Sequence, residues 1–218
     1  MFKYKIVILF LMVIVLSSLN FVHASELPLF NKIIYLDAGH GGADPGAMYK
    51  DLKESDINMS IVKKLEEELV KRGAVVYLTR NGDYDLSKPK LLHHKRNDLN
   101  QRIKMINSSN ADIYISIHLN SETSSAWRGA QVFFDDVNKE NKKIADLIQN
   151  QFKEKLNSNR EVKELKNIYL IRSVNIPGVL IEAGFLSNPN ERYLLRQESY
   201  QRKIAEIISD SIELYLCK

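Results

Sequence analysis

Three residues able to bind a metal or move a proton follow short apolar runs. These are His40 after Ile33-Ile34-Tyr35-Leu36, His118 after Ile113 to Ile117, and Glu182 after Val179-Leu180-Ile181. Imidazole nitrogen and carboxylate oxygen together suit a divalent ion such as zinc. A single histidine at the end of a strand usually serves only as a hydrogen-bonding residue. The weight therefore falls on the set, because parallel strands bring such ends to one edge of a sheet. A further acid near the start of the first helix would complete it, and Asp51, Glu54 and Asp56 all stand there. Spacing does not choose among them, since acids in a first turn also simply oppose the helix dipole. Cys217 is the sole cysteine, which excludes an intrachain disulfide and a thiolate-rich zinc site.

The elements that must position these residues alternate along the chain. Ile33 to Leu36 reads as a buried strand broken by the glycines of Asp37-Ala38-Gly39-His40-Gly41-Gly42. Ile57, Ile61, Leu65 and Leu69 recur at helical spacing, and Gly73 stops that helix. Val75 to Leu78 follows as a strand, then a polar stretch from Asn81 to His94, then a helix marked by Leu99, Ile103 and Ile106. Ile113 to Ile117 and Ala130 to Phe134 are further strands, and Ile144, Leu147, Ile148 and Phe152 mark another helix. Ile168 to Ile171 and Val179 to Ile181 are two more short apolar runs, and the last helix carries Ile204, Ile207, Ile208, Ile212 and Tyr215 on one face. The expectation is an α/β three-layer sandwich: a central, mainly parallel or mixed sheet of about six strands flanked by helices.

The first 24 residues read as a targeting segment. Lys3 and Lys5 precede an apolar run from Ile6 to Leu16 and a small-residue site ending Val22-His23-Ala24. This order fits a secretory signal peptide cleaved after Ala24. The alternative is an N-terminal membrane anchor, since Leu19, Phe21 and Val22 lengthen the run towards a bilayer span. Both place the body, residues 25–218, outside the cytoplasm as one domain. That body carries 29 basic against 27 acidic residues, a net +2, which gives no reason to expect nucleic acid as a partner.

The motifs also resemble a known family. Leu36-Asp37-Ala38-Gly39-His40-Gly41-Gly42, then Glu54, then Ser116-Ile117-His118-Leu119-Asn120, then Glu182-Ala183-Gly184-Phe185-Leu186-Ser187-Asn188 resemble the zinc-dependent N-acetylmuramoyl-L-alanine amidases. Arg128-Gly129-Ala130 and Ile176-Pro177-Gly178 extend the resemblance, which runs from about Ile33 into the last helix. It implies that His40, Glu54 and His118 are zinc ligands, that Glu182 is the catalytic acid-base, and that residues 25–218 form the catalytic domain. The substrate it implies is peptidoglycan, cut between N-acetylmuramic acid and L-alanine. Within the family the chain is most similar to the sporulation- and germination-type enzymes of the spore cortex. There, peptide removal precedes conversion of muramic acid to its δ-lactam by a separate deacetylase. An extracytoplasmic location at the cortex and an activating protein partner are further expectations. The chain departs from the family's pattern at Ala38, usually proline, which touches loop rigidity and no ligand.

Several other residues admit a functional reading beside a plainer one. Asn120 and Arg128 flank the expected cleft but also read as a turn residue and a surface charge. Arg96 and Arg102 suit an acidic stem peptide, although solvated helix charges are commoner. His93 and His94 are adjacent in a polar loop, which favours an incidental pair over a second metal site. A metallopeptidase or polysaccharide deacetylase would use similar ligands, but no His-Glu-x-x-His is present. A noncatalytic wall-binding protein would not need Glu182.

Overall fold

The β-branched run at Ile33 is buried on both faces because it lies deep within a sheet, as parallel strands covered by helices require. A computed structural model describes residues 27–88 and 92–217 of the chain. The expected signal or anchor, residues 1–24, lies outside the described residues. Among the described residues eight strands form: β1 (Ile33–Ala38), β2 (Met48–Tyr49), β3 (Leu52–Lys53), β4 (Val75–Leu78), β5 (Ile113–Asn120), β6 (Gln131–Phe134), β7 (Lys163–Glu164) and β8 (Gly178–Phe185). The helices described with them are α1 (Glu54–Lys71), α2 (His94–Asn107), α3 (Lys139–Leu156), α4 (Tyr169–Ser173), α5 (Pro189–Leu195) and α6 (Glu198–Leu216).

The main sheet has six strands in the order β4-β1-β5-β8-β6-β7. Strands β4, β1, β5 and β8 run parallel, while β6 lies antiparallel to β8. The sheet is therefore mixed, as expected for the α/β class. Ile57, Ile61, Leu65 and Leu69 of α1 share one core with Ile144, Ile148 and Phe152 of α3 and with Ile204, Ile208 and Ile212 of α6. A second, smaller core joins Tyr114 and Leu180 of the sheet to Ile106 of α2 and Leu170 and Ile171 of α4. Helices thus cover both faces, which gives the three layers.

Two local expectations change. The apolar run at Ile168 to Ile171 is not a strand but the start of α4, and the sixth strand is the two-residue β7. His118 and Glu182 do not follow their strands but stand inside them, in register as direct neighbours. The ladder continues past both, with Leu186 N–H donating to the Asn120 carbonyl at 2.8 Å.

Candidate functional site

The glycine-rich stretch after β1 turns back on itself. Gly41 and Asp44 exchange backbone hydrogen bonds, and the turn sets His40 in the left-handed region at φ 61°. A histidine rarely holds that conformation unless its surroundings impose it. Here Arg102 donates to the His40 carbonyl at 2.7 Å, and Asp44 Oδ2 lies 3.0 Å from His40 Nδ1. The hairpin of β2 and β3 then carries the chain into α1 so that Glu54, its first residue, is buried. Asp51 and Asp56, the other acids in that region, are exposed. That settles which acid the fold brings to the histidines.

Glu54 Oε1 lies 3.2 Å from His40 Nε2 and 3.1 Å from His118 Nδ1. It also accepts from the Leu119 N–H at 3.0 Å, while Oε2 accepts from the Ala47 N–H at 2.8 Å. Burial alone would raise the Glu54 pKa, but the hydrogen bonds and charges of His118 and His40 hold it well below the usual carboxylate range. The potential ligand atoms of His40, Glu54 and His118 all lie within 4.8 Å of one another, close enough to share one cation. Two imidazoles and one carboxylate are a donor set that leaves a tetrahedral zinc one position for water.

Glu182 stands beside this cluster. Its Oε2 is buried and has no hydrogen-bond partner. An orphaned carboxylate oxygen of this kind marks a place where a ligand or water belongs. Burial pushes its pKa up to about 7; the charge of His118 pulls down and that of Glu54 pushes up. Two glycines make room for the cluster. A Cβ on Gly39 would strike the His118 ring, and one on Gly46, at φ 69°, would meet Glu54 Oε2 and the His40 ring.

Behind the cluster lies a charged scaffold that sequence reasoning did not find. Asp37 accepts from Arg102 Nη1, from Thr79 Oγ1 and from Ser116 Oγ, each at 2.7 Å. Arg102 further donates to Asp98 at 2.8 Å and to the Ala38 carbonyl at 2.7 Å. Arg80 holds the carbonyls of Ala38 (2.9 Å), Gly39 (3.0 Å) and Ser55 (2.9 Å). The loop without its proline is thus clamped by two buried guanidiniums. Asn58 Nδ2 bridges the Gly39 carbonyl and Glu54 Oε1 at 3.2 and 3.3 Å.

The remaining sequence candidates fall elsewhere. Arg102 is buried in this scaffold, so it is neither a solvated charge nor free for substrate. Arg96 stacks on the Tyr169 ring at 3.3 Å. His94 approaches Asp85 at 3.3 Å, and neither it nor His93 joins a possible metal cluster among the described residues. Arg128 is exposed, and Asn120 caps the β5–β8 pairing through its carbonyl.

Known proteins share this frame. The family model described as "N-acetylmuramoyl-L-alanine amidase" matches residues 34–214. The germination-specific N-acetylmuramoyl-L-alanine amidase of Bacillus subtilis is 42% identical over 214 residues, 96% of this chain and 90% of its own length. The CwlD amidase of Clostridioides difficile, solved in complex with the GerS lipoprotein, superposes with a TM-score of 0.82. It is 44% identical and covers 85% of this chain and 98% of its own. The catalytic domain of CwlV, an N-acetylmuramoyl-L-alanine amidase from Bacillus (Paenibacillus) polymyxa, gives a TM-score of 0.74 at 31% identity, covering 85% and 98%. Likeness of this extent, carried through the loop of His40 and the strands of His118 and Glu182, leaves one conclusion: the chain belongs to the N-acetylmuramoyl-L-alanine amidase family.

Proposed function

We propose that this chain hydrolyses the amide between N-acetylmuramic acid and L-alanine in peptidoglycan, with zinc held by His40, Glu54 and His118 and with Glu182 as the proton carrier. The observation that supports this most is the meeting of three ligand atoms within 4.8 Å beside the partnerless Oε2 of Glu182. Zinc bound there would polarise the scissile carbonyl and make water acidic enough to attack near neutral pH. Asp44, bonded to His40 Nδ1, fixes that ring and leaves Nε2 turned towards Glu54. Glu182 takes a proton from the attacking water and returns it to the departing alanine amine. Products are a peptide beginning with L-alanine and a glycan stripped of its stem.

The spore cortex is the proposed setting, by analogy with the germination-specific relative; there the bared muramic acid would be the substrate of δ-lactam formation. Residues 25–218 are proposed as the catalytic domain, acting outside the cytoplasm after an N-terminal signal or anchor. Among the described residues no helix is long and apolar enough to cross a membrane. The complex of the Clostridioides difficile amidase with a lipoprotein supports a protein partner for this chain as well. Zinc content and activity of the purified chain, with and without sporulation extract, test that expectation.

The purified chain is to be incubated with spore-type peptidoglycan, with and without zinc or chelator, and the products identified by mass spectrometry. Zinc-dependent release of peptides beginning with L-alanine is expected; release of acetate with the peptides still attached would overturn the reading. His118→Ala is expected to lower bound zinc outright. Gly46→Ala, whose methyl would push Glu54 and His40 apart, is expected to weaken zinc binding roughly 10- to 100-fold, the cost typical of disturbing a ligand's support. Metal titration reads both, and an unchanged affinity in Gly46→Ala would show that the loop yields without moving its ligands.

A further inference from the structure

One cation near the cluster is neither buried in an ion pair nor freely solvated. Arg160 is partly buried and follows the last turn of α3. Its Nε and Nη2 donate to Gln131 Oε1 at 3.0 and 2.7 Å, and its guanidinium lies 5.1 Å from the Trp127 ring and 5.7 Å from the Phe185 ring. Gln131 is itself buried and held at its other end, where Nε2 donates to the Glu161 carbonyl at 2.8 Å. Among the described residues Arg160 forms no ion pair, and Nη1 has no protein acceptor. The Arg160 charge acts on Glu191, but both oxygens of that carboxyl already accept backbone N–H groups, from Gly129 and Phe185. A planar guanidinium fixed on two aromatic faces, with one edge free, is a preorganised fork for a carboxylate.

Its position relative to the chemistry follows from the sheet register. Gln131 pairs with Glu182, and Glu182 pairs with His118, so the three side chains form one row on one face. Neighbouring strands are about 4.8 Å apart, and Arg160 bonds the Gln131 side chain one strand beyond Glu182. A peptide extends about 3.5 Å per residue. A group on the residue after the cleaved alanine therefore falls within reach of Arg160. The cavity of about 110 Å³ that reaches His40 and His118 is different: it is also lined by Leu99, Ile168, Leu170 and Leu180, and its two cations are already paired, Lys95 with Asp44 at 3.2 Å and Arg102 with Asp37 at 2.7 Å.

We propose that Arg160, held by Gln131 between Trp127 and Phe185, binds the carboxylate of the stem-peptide residue that follows the cleaved alanine, and so selects acidic stems. The proposal rests on the amidase reading of the same site and names the side on which the peptide leaves. Arg128 borders the same hollow but is exposed and lacks an anchoring bond among the described residues; it does not supply the fork.

The test compares two synthetic muramoyl peptides that differ only at the second stem residue, a free carboxylate in one and its carboxamide in the other. Wild type is expected to favour the acid in kcat/KM. Arg160→Gln is expected to lose roughly 10- to 100-fold on the acid, the range for a charged hydrogen bond, with little change on the amide. Arg160→Lys, which keeps the charge without the fork, should recover only part, and it carries the test if Arg160→Gln does not fold. Equal losses on both substrates, or a wild type that does not discriminate, overturn the proposal. A wild type that cleaves neither substrate with zinc bound and sporulation extract present sinks the amidase reading. Calorimetry with the free acidic peptide then still decides on Arg160, because equal affinity for wild type and Arg160→Gln overturns its role and weaker binding by the variant supports it.

Discussion

Glu182→Gln is expected to release stem peptides about 10²- to 10⁴-fold more slowly than wild type while binding zinc and melting nearly as before. The rate loss is the range removed with a positioned proton carrier. Stability should barely move because Oε2 makes no hydrogen bond in the fold, so exchanging the oxygen for an amide nitrogen breaks no contact. Burial, tempered by His118 and reinforced by Glu54, has already pushed this carboxyl to about 7, where it gives and takes protons with equal ease. Glutamine keeps the shape and loses that capacity. Product mass spectrometry, metal analysis and thermal melting on one preparation separate the outcomes. Undiminished turnover would remove Glu182 from the mechanism. A parallel fall in bound zinc would reassign it as a metal-holding group.

How much of this was legible in the sequence varies from residue to residue. The strands at Ile33, Ile113 and Val179 were legible because interior parallel strands read as short apolar runs between helical patterns, and the half-exposed edge strand at Val75 because its residues are mainly β-branched and aromatic. The run at Ile168 was not, since four apolar residues fit a strand and a buried turn of helix equally well. Strand β7, Lys163–Glu164, carries no apolar signal because both residues are exposed; its strand character comes wholly from the neighbouring β6. The direction of β6 was equally hidden, as its antiparallel pairing with β8 depends on a connection through α3 that periodicity does not describe.

The site divides the same way. His40, His118 and Glu182 announced themselves by position, but the choice of Glu54 over Asp51 and Asp56 rested on family resemblance. The structure gives the physical reason: the hairpin of β2 and β3 turns the chain so that position 54 enters the fold while 51 and 56 face solvent. Strands of two residues leave no pattern to read. Arg80 and Arg102 were illegible for the opposite reason. Arginine on a helix or after a strand belongs in water by default, whereas in the fold these two bind carbonyls and, for Arg102, Asp37.

That scaffold yields the second large prediction. Arg102→Met keeps the bulk of the stem but leaves Asp37 buried with two hydroxyl donors and without its ion-pair partner. Breaking a buried pair from one side costs about 3–5 kcal/mol, or roughly 6–20 °C in melting temperature for a chain of this size. The His40 carbonyl loses its donor too, so the strained loop loosens and zinc affinity should fall with it. Acid distinguishes this explanation from simple loss of packing. In wild type, burial opposes ionisation of Asp37, but Arg102, Ser116 and Thr79 outweigh it and hold the pKa at about 2. That depressed value contributes on the order of 2–3 kcal/mol above the unfolded pKa of about 3.9, lost as pH falls towards 2. In the variant the sign reverses, because an uncompensated buried carboxyl has a raised pKa and its penalty disappears once it is protonated. The gap in melting temperature between wild type and Arg102→Met should therefore be wide at pH 7 and shrink as the pH approaches 3. Asp37→Asn in the Arg102→Met background should recover part of the loss at pH 7 and little at pH 3. A gap that stays constant across this range would mean that the charge of Asp37 is not what Arg102 serves.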